Sequence, residues 1–291
     1  MTTVHHRYAT VRGQRIFYRE AGPQDAPHVV LLHGFPTSSF MFRDLIPRLA
    51  ERYHVIAPDH LGFGFSDAPA VDDFSYSFDA LAELTGDLLD QLGVSRYAIY
   101  VQDYGAPIGW RLAVNRPGTV TAVITQNGNG YDDGFVEPFW QSVWDYQREQ
   151  TPDTEAGVRG ALTLEGIKWQ YVTGVADETV VSPDTWEHDH ALVSRPGNDE
   201  VQLALFRDYA NNAPKYPALH AYFREHRPPL LAVWGKNDPI FGPDGARAFA
   251  RDLPDAEVHL LDAGHFLLES DLDDAAHLIL DFLDRTVAKQ D

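Results

Sequence analysis

Short apolar runs recur along the chain and constrain its fold more than any other feature of the sequence. The run from Val29 to Leu32 is compact and lacks polar alternation, which is typical of a strand buried on both faces of a sheet. Helical stretches separate such runs, and one of them, over 78–92, carries leucines along one face. This alternation predicts the α/β class with a mostly parallel, doubly wound sheet. The predicted strands are 15–22, 29–32, 55–57, 97–101, 120–125, 230–234 and 258–261.

The alternation stops between about residues 130 and 227, where Trp, Tyr, Asp and Pro become frequent and the remaining periodicity is helical. We predict a core domain of residues 1–130 and 228–291, with a helical cap of residues 131–227 inserted into it. The aromatic residues of this segment exceed what a small lid needs for its own core, so we expect some of them to line a pocket.

Composition excludes several functions. The 291 residues include no cysteine, which rules out disulfides, thiolate metal sites and cysteine nucleophiles. The formal charge of −20 argues against binding to nucleic acid or anionic membranes. No apolar run approaches the roughly 20 residues that cross a bilayer, and no secretory signal is evident, so we expect a cytoplasmic enzyme. The 13 histidines form no compact ligand motif, and we expect no metal and no cofactor.

The segment after the predicted strand 97–101 has the form of a nucleophile elbow. Asp103 stands at the strand end, Gly105 supplies a small neighbour, and a helical stretch follows. Two further ionisable residues follow later strands. Asp238 comes after strand 230–234, and His265 comes after strand 258–261. The carboxyl ends of parallel strands share one edge of a sheet, so the three side chains should meet there. Their chain order, nucleophile then acid then histidine, is that of α/β-hydrolases.

With these residues the chain resembles the α/β-hydrolase superfamily, in the branch of epoxide hydrolases and haloalkane dehalogenases. The segment from His33 to Pro36 resembles the oxyanion-hole loop of that family, which implies that the backbone N–H groups of Phe35 and Tyr104 face a developing oxyanion. The resemblance implies that Asp103 attacks a saturated carbon and forms an alkyl ester. His265 would then activate the water that hydrolyses this ester, and Asp238 would orient the imidazole.

Epoxide hydrolysis to a vicinal diol is the activity that the resemblance favours. Epoxide hydrolases of this fold use cap tyrosines as proton donors, and Tyr209 lies in a segment that resembles the one carrying such a tyrosine. The candidates for the other substrate contacts are Trp140, Tyr146, Tyr171 and Asn127. Asn127 stands near the position where some relatives carry the supporting acid, but asparagine cannot provide a charge, so Asp238 is assigned that role.

Two alternatives stay open. Haloalkane dehalogenases usually have tryptophan after the nucleophile and often asparagine in the oxyanion loop, whereas this chain has Tyr104 and Phe35; the run Val101-Gln102-Asp103 nevertheless resembles one dehalogenase subgroup. The other alternative is a non-catalytic member of the fold that binds a small ligand. A serine esterase is excluded, because no serine occurs between Arg96 and Thr119. We expect the partners to be a small apolar organic substrate and water, and the protein to be a monomer or a homodimer.

Overall fold

A computed structural model of the protein describes residues 2–137 and 139–287. Eight strands form one sheet in the order β1-β2-β4-β3-β5-β6-β7-β8. The pairs β1–β2 and β2–β4 are antiparallel, and all the other pairs are parallel. The strands are β1 (His5–Val11), β2 (Gln14–Ala21), β3 (His28–Leu32), β4 (His54–Pro58), β5 (Tyr97–Gln102), β6 (Val120–Gln126), β7 (Leu230–Gly235) and β8 (Glu257–Leu261).

Helices follow most of the parallel strands. They are α1 (Ile46–Leu49), α2 (Phe78–Gln91), α3 (Gly105–Asn115), α4 (Phe139–Arg148), α5 (Pro152–Arg159), α6 (Leu164–Val172), α7 (Pro183–Val193), α8 (Asn198–Asp208), α9 (Tyr216–His226), α10 (Pro243–Ala248), α11 (Leu267–Ser270) and α12 (Leu272–Thr286). Short 3-10 helices occupy Ser39–Phe42, Gly160–Leu162, Glu178–Val180, Tyr209–Asn211, Ala213–Lys215 and Phe249–Arg251.

The sheet separates two hydrophobic clusters. Successive side chains of a strand point to opposite faces, so Val30 and Ile99 join one cluster while Val29 and Ala98 join the other. Apolar residues of α2 and α3 pack in the first cluster, and those of α1 and α12 pack in the second. Helices therefore cover both faces, and the predicted α/β fold with a doubly wound, mostly parallel sheet is confirmed.

Helices α4 to α9 all lie between β6 and β7, and residues 139–229 contain no strand. They form the segment that the sequence predicts to be a cap; its division from the core stays a prediction. An isolated bridge between Phe135 and Phe241 connects the entry of this segment with the loop after β7. No helix among residues 2–137 and 139–287 combines the length and apolar character needed to cross a membrane.

The strand register brings five loops to one edge of the sheet. Leu32 pairs with Val101, Gln102 pairs with Gln126, and Gly235 pairs with Leu261, so these strands end at similar heights. The loops after β3, β5, β6, β7 and β8 consequently meet at the carboxyl edge, which is where open α/β sheets bind their ligands.

Candidate active site

Asp103 occupies a strained turn between β5 and α3. Its φ of 47° lies in the left-handed region that non-glycine residues rarely adopt, and this lifts the side chain clear of the sheet. Two glycines make room for the turn. A Cβ atom on Gly105 would come within 2.1 Å of the carbonyl oxygen of Leu32, and one on Gly34 would come within 2.3 Å of the Cβ atom of Asp103.

One carboxylate oxygen of Asp103 lies between two backbone donors. The N–H groups of Phe35 and Tyr104 both donate to its Oδ1 at 2.6 Å. Neither hydrogen bond involves the other carboxylate oxygen, Oδ2. Burial raises the pKa of Asp103 from 3.8 to about 6, although the charge of His265 and the two N–H groups act in the opposite direction. The site therefore holds a desolvated carboxylate with one oxygen fixed in place.

His265 and Asp238 form a buried pair beside Asp103. Nδ1 of His265 lies 2.8 Å from Oδ2 of Asp238, and both side chains are inaccessible to solvent. Burial lowers the pKa of His265, but the charge of Asp238 and the hydrogen bond to it outweigh burial, and the pKa lies above its ordinary value. The backbone N–H of Ile240 donates to the other oxygen of Asp238 at 2.7 Å. This arrangement fixes the imidazole and favours its protonated form.

Asn127 supports Asp238 from the end of β6. Its Nδ2 donates to Oδ2 of Asp238 at 2.8 Å, and its Oδ1 accepts from the N–H of Gly235 at 2.9 Å. The residue has a φ of 46° and is completely buried. The sequence predicts that Asn127 contacts the substrate; its contacts in the structure are those of a residue that orients the acid.

Aromatic side chains cluster around Phe35 and Tyr104, the two residues that donate to Asp103. The ring of Tyr209 lies 6.0 Å from that of Tyr104 and 4.7 Å from that of Trp140. The ring of Phe206, one turn earlier in α8, lies 5.2 Å from that of Phe35. Burial raises the pKa values of Tyr104 and Tyr209 well above the ordinary value, so both phenols keep their protons. The polar groups of these rings are the two phenol hydroxyls and the indole N–H of Trp140.

Comparison with known proteins places this geometry in a family. A family profile described as the alpha/beta hydrolase fold matches residues 27–272. The chain belongs to the α/β-hydrolase family. An uncharacterised hydrolase of Saccharomyces cerevisiae is 42% identical over 268 residues, which cover 91% of this chain and 92% of the yeast protein. The family match and this relative together show that the protein is a hydrolase, as the sequence predicts.

Two solved structures resemble this α/β-hydrolase over nearly its whole length. The haloalkane dehalogenase DbeA of Bradyrhizobium elkani superposes with a TM-score of 0.83 at 27% identity, covering 99% of each chain. The epoxide hydrolase CorEH superposes with a TM-score of 0.80 at 21% identity, covering 97% of this chain and 99% of its own. CorEH, at 21% identity, shows the shared fold, and the dehalogenase, at 27% identity, bears out the predicted resemblance to the branch that contains it.

Two of the candidate substrate contacts of this α/β-hydrolase, Tyr171 and Tyr146, stay predictions, and the structure shows which groups surround them. The ring of Tyr171 stacks on Phe266 at 4.0 Å, and its hydroxyl donates to the buried carboxylate of Asp189. Tyr146 is buried on α4, and it makes no ring contact with Trp140 in the part of the chain that the structure describes. Helical spacing alone did not show which face of each cap helix meets the core.

Gln102 is a site residue that the sequence reasoning missed. Its Nε2 lies 2.8 Å from Nε2 of His265, the nitrogen that would take a proton from water. Gln126, at the paired position on β6, donates from Nε2 to the backbone oxygen of His265 at 3.0 Å. Their positions in the sequence could have indicated this role, because both glutamines are the last residues of strands that end beside Asp103. The described residues contain no group of His, Cys, Asp and Glu that could hold a metal ion.

Proposed function

We propose that this α/β-hydrolase opens epoxides to vicinal diols through a covalent ester on Asp103. The observation that carries the proposal is the pair of 2.6 Å hydrogen bonds from Phe35 and Tyr104 to Oδ1 of Asp103. They hold the carboxylate so that Oδ2 is the attacking atom. The carbonyl oxygen of the resulting ester is Oδ1, which already lies between the donors that stabilise an oxyanion.

The first step forms the ester. Oδ2 of Asp103 attacks one carbon of the epoxide, the carbon–oxygen bond of the ring breaks, and the ring oxygen takes the proton of Tyr209. Tyr209 is the proposed donor because its ring lies directly against Tyr104, beside the nucleophile, and is itself buried. The raised pKa of its hydroxyl ensures that the proton is present at neutral pH.

The second step releases the diol. His265 removes a proton from water, and the hydroxide attacks Cγ of Asp103 while Oδ1 becomes the oxyanion. When the tetrahedral intermediate collapses, the imidazolium protonates the departing diol oxygen. The carboxylic acid then loses its proton, which restores the phenol of Tyr209. Asp238 stabilises the imidazolium between these events through the 2.8 Å contact with Nδ1.

Side-chain donors favour an epoxide oxygen over a halide ion. The ring of Trp140 lies nearer to Tyr209 than that of Trp144, and its indole N–H already donates to the carbonyl of Ile240 at 2.8 Å. Phe35 has no side-chain donor. The hydroxyl of Tyr104, by contrast, is buried and has no hydrogen-bond partner within the described residues, so it can serve as a second donor to the epoxide oxygen. Carbon–halogen hydrolysis remains the second candidate, because a haloalkane dehalogenase shares this fold at 27% identity.

The proposal is tested by trapping the ester. In His265→Gln the first step should proceed while the second lacks its base, so intact mass spectrometry should detect an adduct that peptide mapping places on Asp103. Styrene oxide and 1-bromobutane are incubated separately with the variant. An adduct with the mass of the whole epoxide supports the proposal, whereas a butyl adduct from the bromide alone makes the enzyme a dehalogenase.

The control for this experiment is His277→Gln, which changes an exposed histidine of α12. It should turn over styrene oxide like the wild type and accumulate no adduct. If His265→Gln also turned over the epoxide normally, His265 would not be the base and the mechanism would be refuted.

A further inference from the structure

Two glutamines contact His265 from neighbouring strands. Gln102 ends β5 and Gln126 ends β6, and the two residues pair across the sheet. Gln126 contacts the main chain, because its Nε2 donates to the carbonyl oxygen of His265 at 3.0 Å. Gln102 contacts the ring, because its Nε2 lies 2.8 Å from Nε2 of His265. Gln102 is thus the glutamine that contacts the nitrogen on which the proposed base catalysis depends.

The two amides differ in what holds their orientation. Gln126 is bonded at both ends, since its Oε1 accepts from the hydroxyl of Tyr100, and turning it would place Oε1 against the carbonyl oxygen of His265. Oε1 of Gln102 is buried and has no hydrogen-bond partner in residues 2–137 and 139–287. The torsion that turns a terminal amide is broad and roughly two-fold. Among the described residues, the contact with His265 therefore decides which end of the Gln102 amide faces the ring.

The two protonation states of His265 need opposite partners at Nε2. In the neutral imidazole the proton lies on Nδ1 beside Asp238, so Nε2 accepts and suits the amide nitrogen of Gln102. In the imidazolium Nε2 donates and suits the amide oxygen. An amide fixed in one orientation would oppose one of the two states, because it would place two donors or two acceptors 2.8 Å apart.

The other groups around His265 do not provide this adjustable contact. Asp238 contacts Nδ1 at 2.8 Å, and both its charge and that of Asp103 favour the imidazolium. The rings of Phe241 and Phe266, with centres 5.9 and 4.9 Å from that of the imidazole, have no side-chain hydrogen-bonding group. Both carboxylates thus support the charged form, whereas the donating glutamine amide supports the neutral form that acts as the base.

We propose that Gln102 is a positioning residue whose amide turns with the protonation of His265, its nitrogen facing the neutral imidazole and its oxygen facing the imidazolium. The inference rests on the proposed function, because it concerns hydrolysis of the Asp103 ester. The amide nitrogen leaves Nε2 as the water approaches, and the amide oxygen accepts from Nε2 once the proton has moved there. The amide itself transfers no proton. The second step should therefore depend on Gln102, while formation of the ester should not.

The test follows the ester by mass spectrometry in rapid-quench single turnovers of styrene oxide by the wild type and by Gln102→Met. Methionine has a similar length, but its sulfur is a weak acceptor and it has no donor. Ester formation should stay within about twofold of the wild type, whereas ester hydrolysis should slow by about tenfold or more, because a hydrogen bond to the base is lost in both of its states. A change that merely loosened the packing would not separate the two steps in this way.

Gln102→Glu provides a second variant with the same side-chain size, so the inference stays testable if methionine disturbs the fold. An ionised carboxylate only accepts, and it favours the imidazolium throughout the reaction. The midpoint of the His265 titration, followed by NMR of nitrogen-15-labelled histidine, should rise by about one pH unit or more. Ester hydrolysis should accordingly recover as the pH is raised, whereas in Gln102→Met it should stay slow at every pH.

Gln170→Met is the matched control, because it makes the same change at a buried glutamine whose Nε2 donates to Gly166 within α6, at 3.4 Å. It should hydrolyse the ester at the wild-type rate. Wild-type hydrolysis in Gln102→Met, or an unchanged His265 titration in Gln102→Glu, would overturn the inference and leave the proposed function intact. If no ester formed in the wild type or in any variant, the proposed function would fail, and this inference would fail with it.

Discussion

Replacing Asp103, the proposed nucleophile, should make the protein more stable. Asp103 is 6% exposed, and burial raises its pKa to about 6. The carboxylate is therefore harder to ionise in the folded chain than in the unfolded chain, where its pKa is near 3.8. A raised carboxyl pKa contributes stability that is fully present below pH 3.8 and is lost as the pH rises through 6. At pH 8 the ionised Asp103 should thus cost about 3 kcal/mol of folding free energy.

The substitution Asp103→Asn removes this cost while keeping an oxygen that accepts from Phe35 and Tyr104. The free energy of unfolding should rise by about 3 kcal/mol at pH 8 and by about half that at pH 5, where the folded wild type is largely protonated. For a chain of 291 residues, 3 kcal/mol corresponds to an increase in Tm of about 5 °C.

Urea unfolding followed by tryptophan fluorescence at both pH values measures the effect. Asp133→Asn serves as the control, because the hydrogen bond from Arg251 lowers the pKa of Asp133 and its replacement should stabilise nothing. An Asp103→Asn protein that is no more stable than the wild type at pH 8, or one whose gain is the same at both pH values, would refute the reasoning.

Three further results are expected. Because Asp103 must be ionised to attack, kcat/KM for styrene oxide should fall about tenfold for each pH unit below about 6, as a pH–rate profile would show; a flat profile to pH 5 would contradict this. Asn127→Gly should tolerate the φ of 46° but release Asp238, and steady-state kinetics should show kcat lowered about tenfold or more. Tyr209→Phe should lose at least about a hundredfold in kcat/KM for epoxides, whereas Tyr146→Phe should stay near the wild type, and equal losses would remove Tyr209 from its role.

The inner parallel strands were predictable because they are buried on both faces and leave continuous apolar runs. Strand β1 was not predicted. Its residues from His5 to Tyr8 are exposed, and only Ala9 and Val11 are buried, so an edge strand of this kind has no apolar pattern to reveal it. Pairing with β2 through backbone hydrogen bonds, which any sequence can make, defines the strand instead.

The positions of Asp103, Asp238 and His265 could be predicted because each follows a recognisable strand, and strand ends are ordered by the sheet. No strand end marks the positions of the cap residues in this way. Tyr171 and Tyr209 both lie in aromatic, helical sequence, yet the first packs against Phe266 and the second against Tyr104. Only the packing of the helices on the core distinguishes them.

The central claim, a covalent ester on Asp103, is tested most directly by a single turnover in water enriched in oxygen-18. Wild-type enzyme in excess over styrene oxide is allowed to react once, and both the diol and the peptide containing Asp103 are analysed by mass spectrometry. Hydrolysis at Cγ places the water oxygen in Asp103, so the account predicts a labelled peptide and an unlabelled diol. A labelled diol with an unlabelled Asp103 peptide would mean that water attacks the epoxide directly, and it would contradict the account.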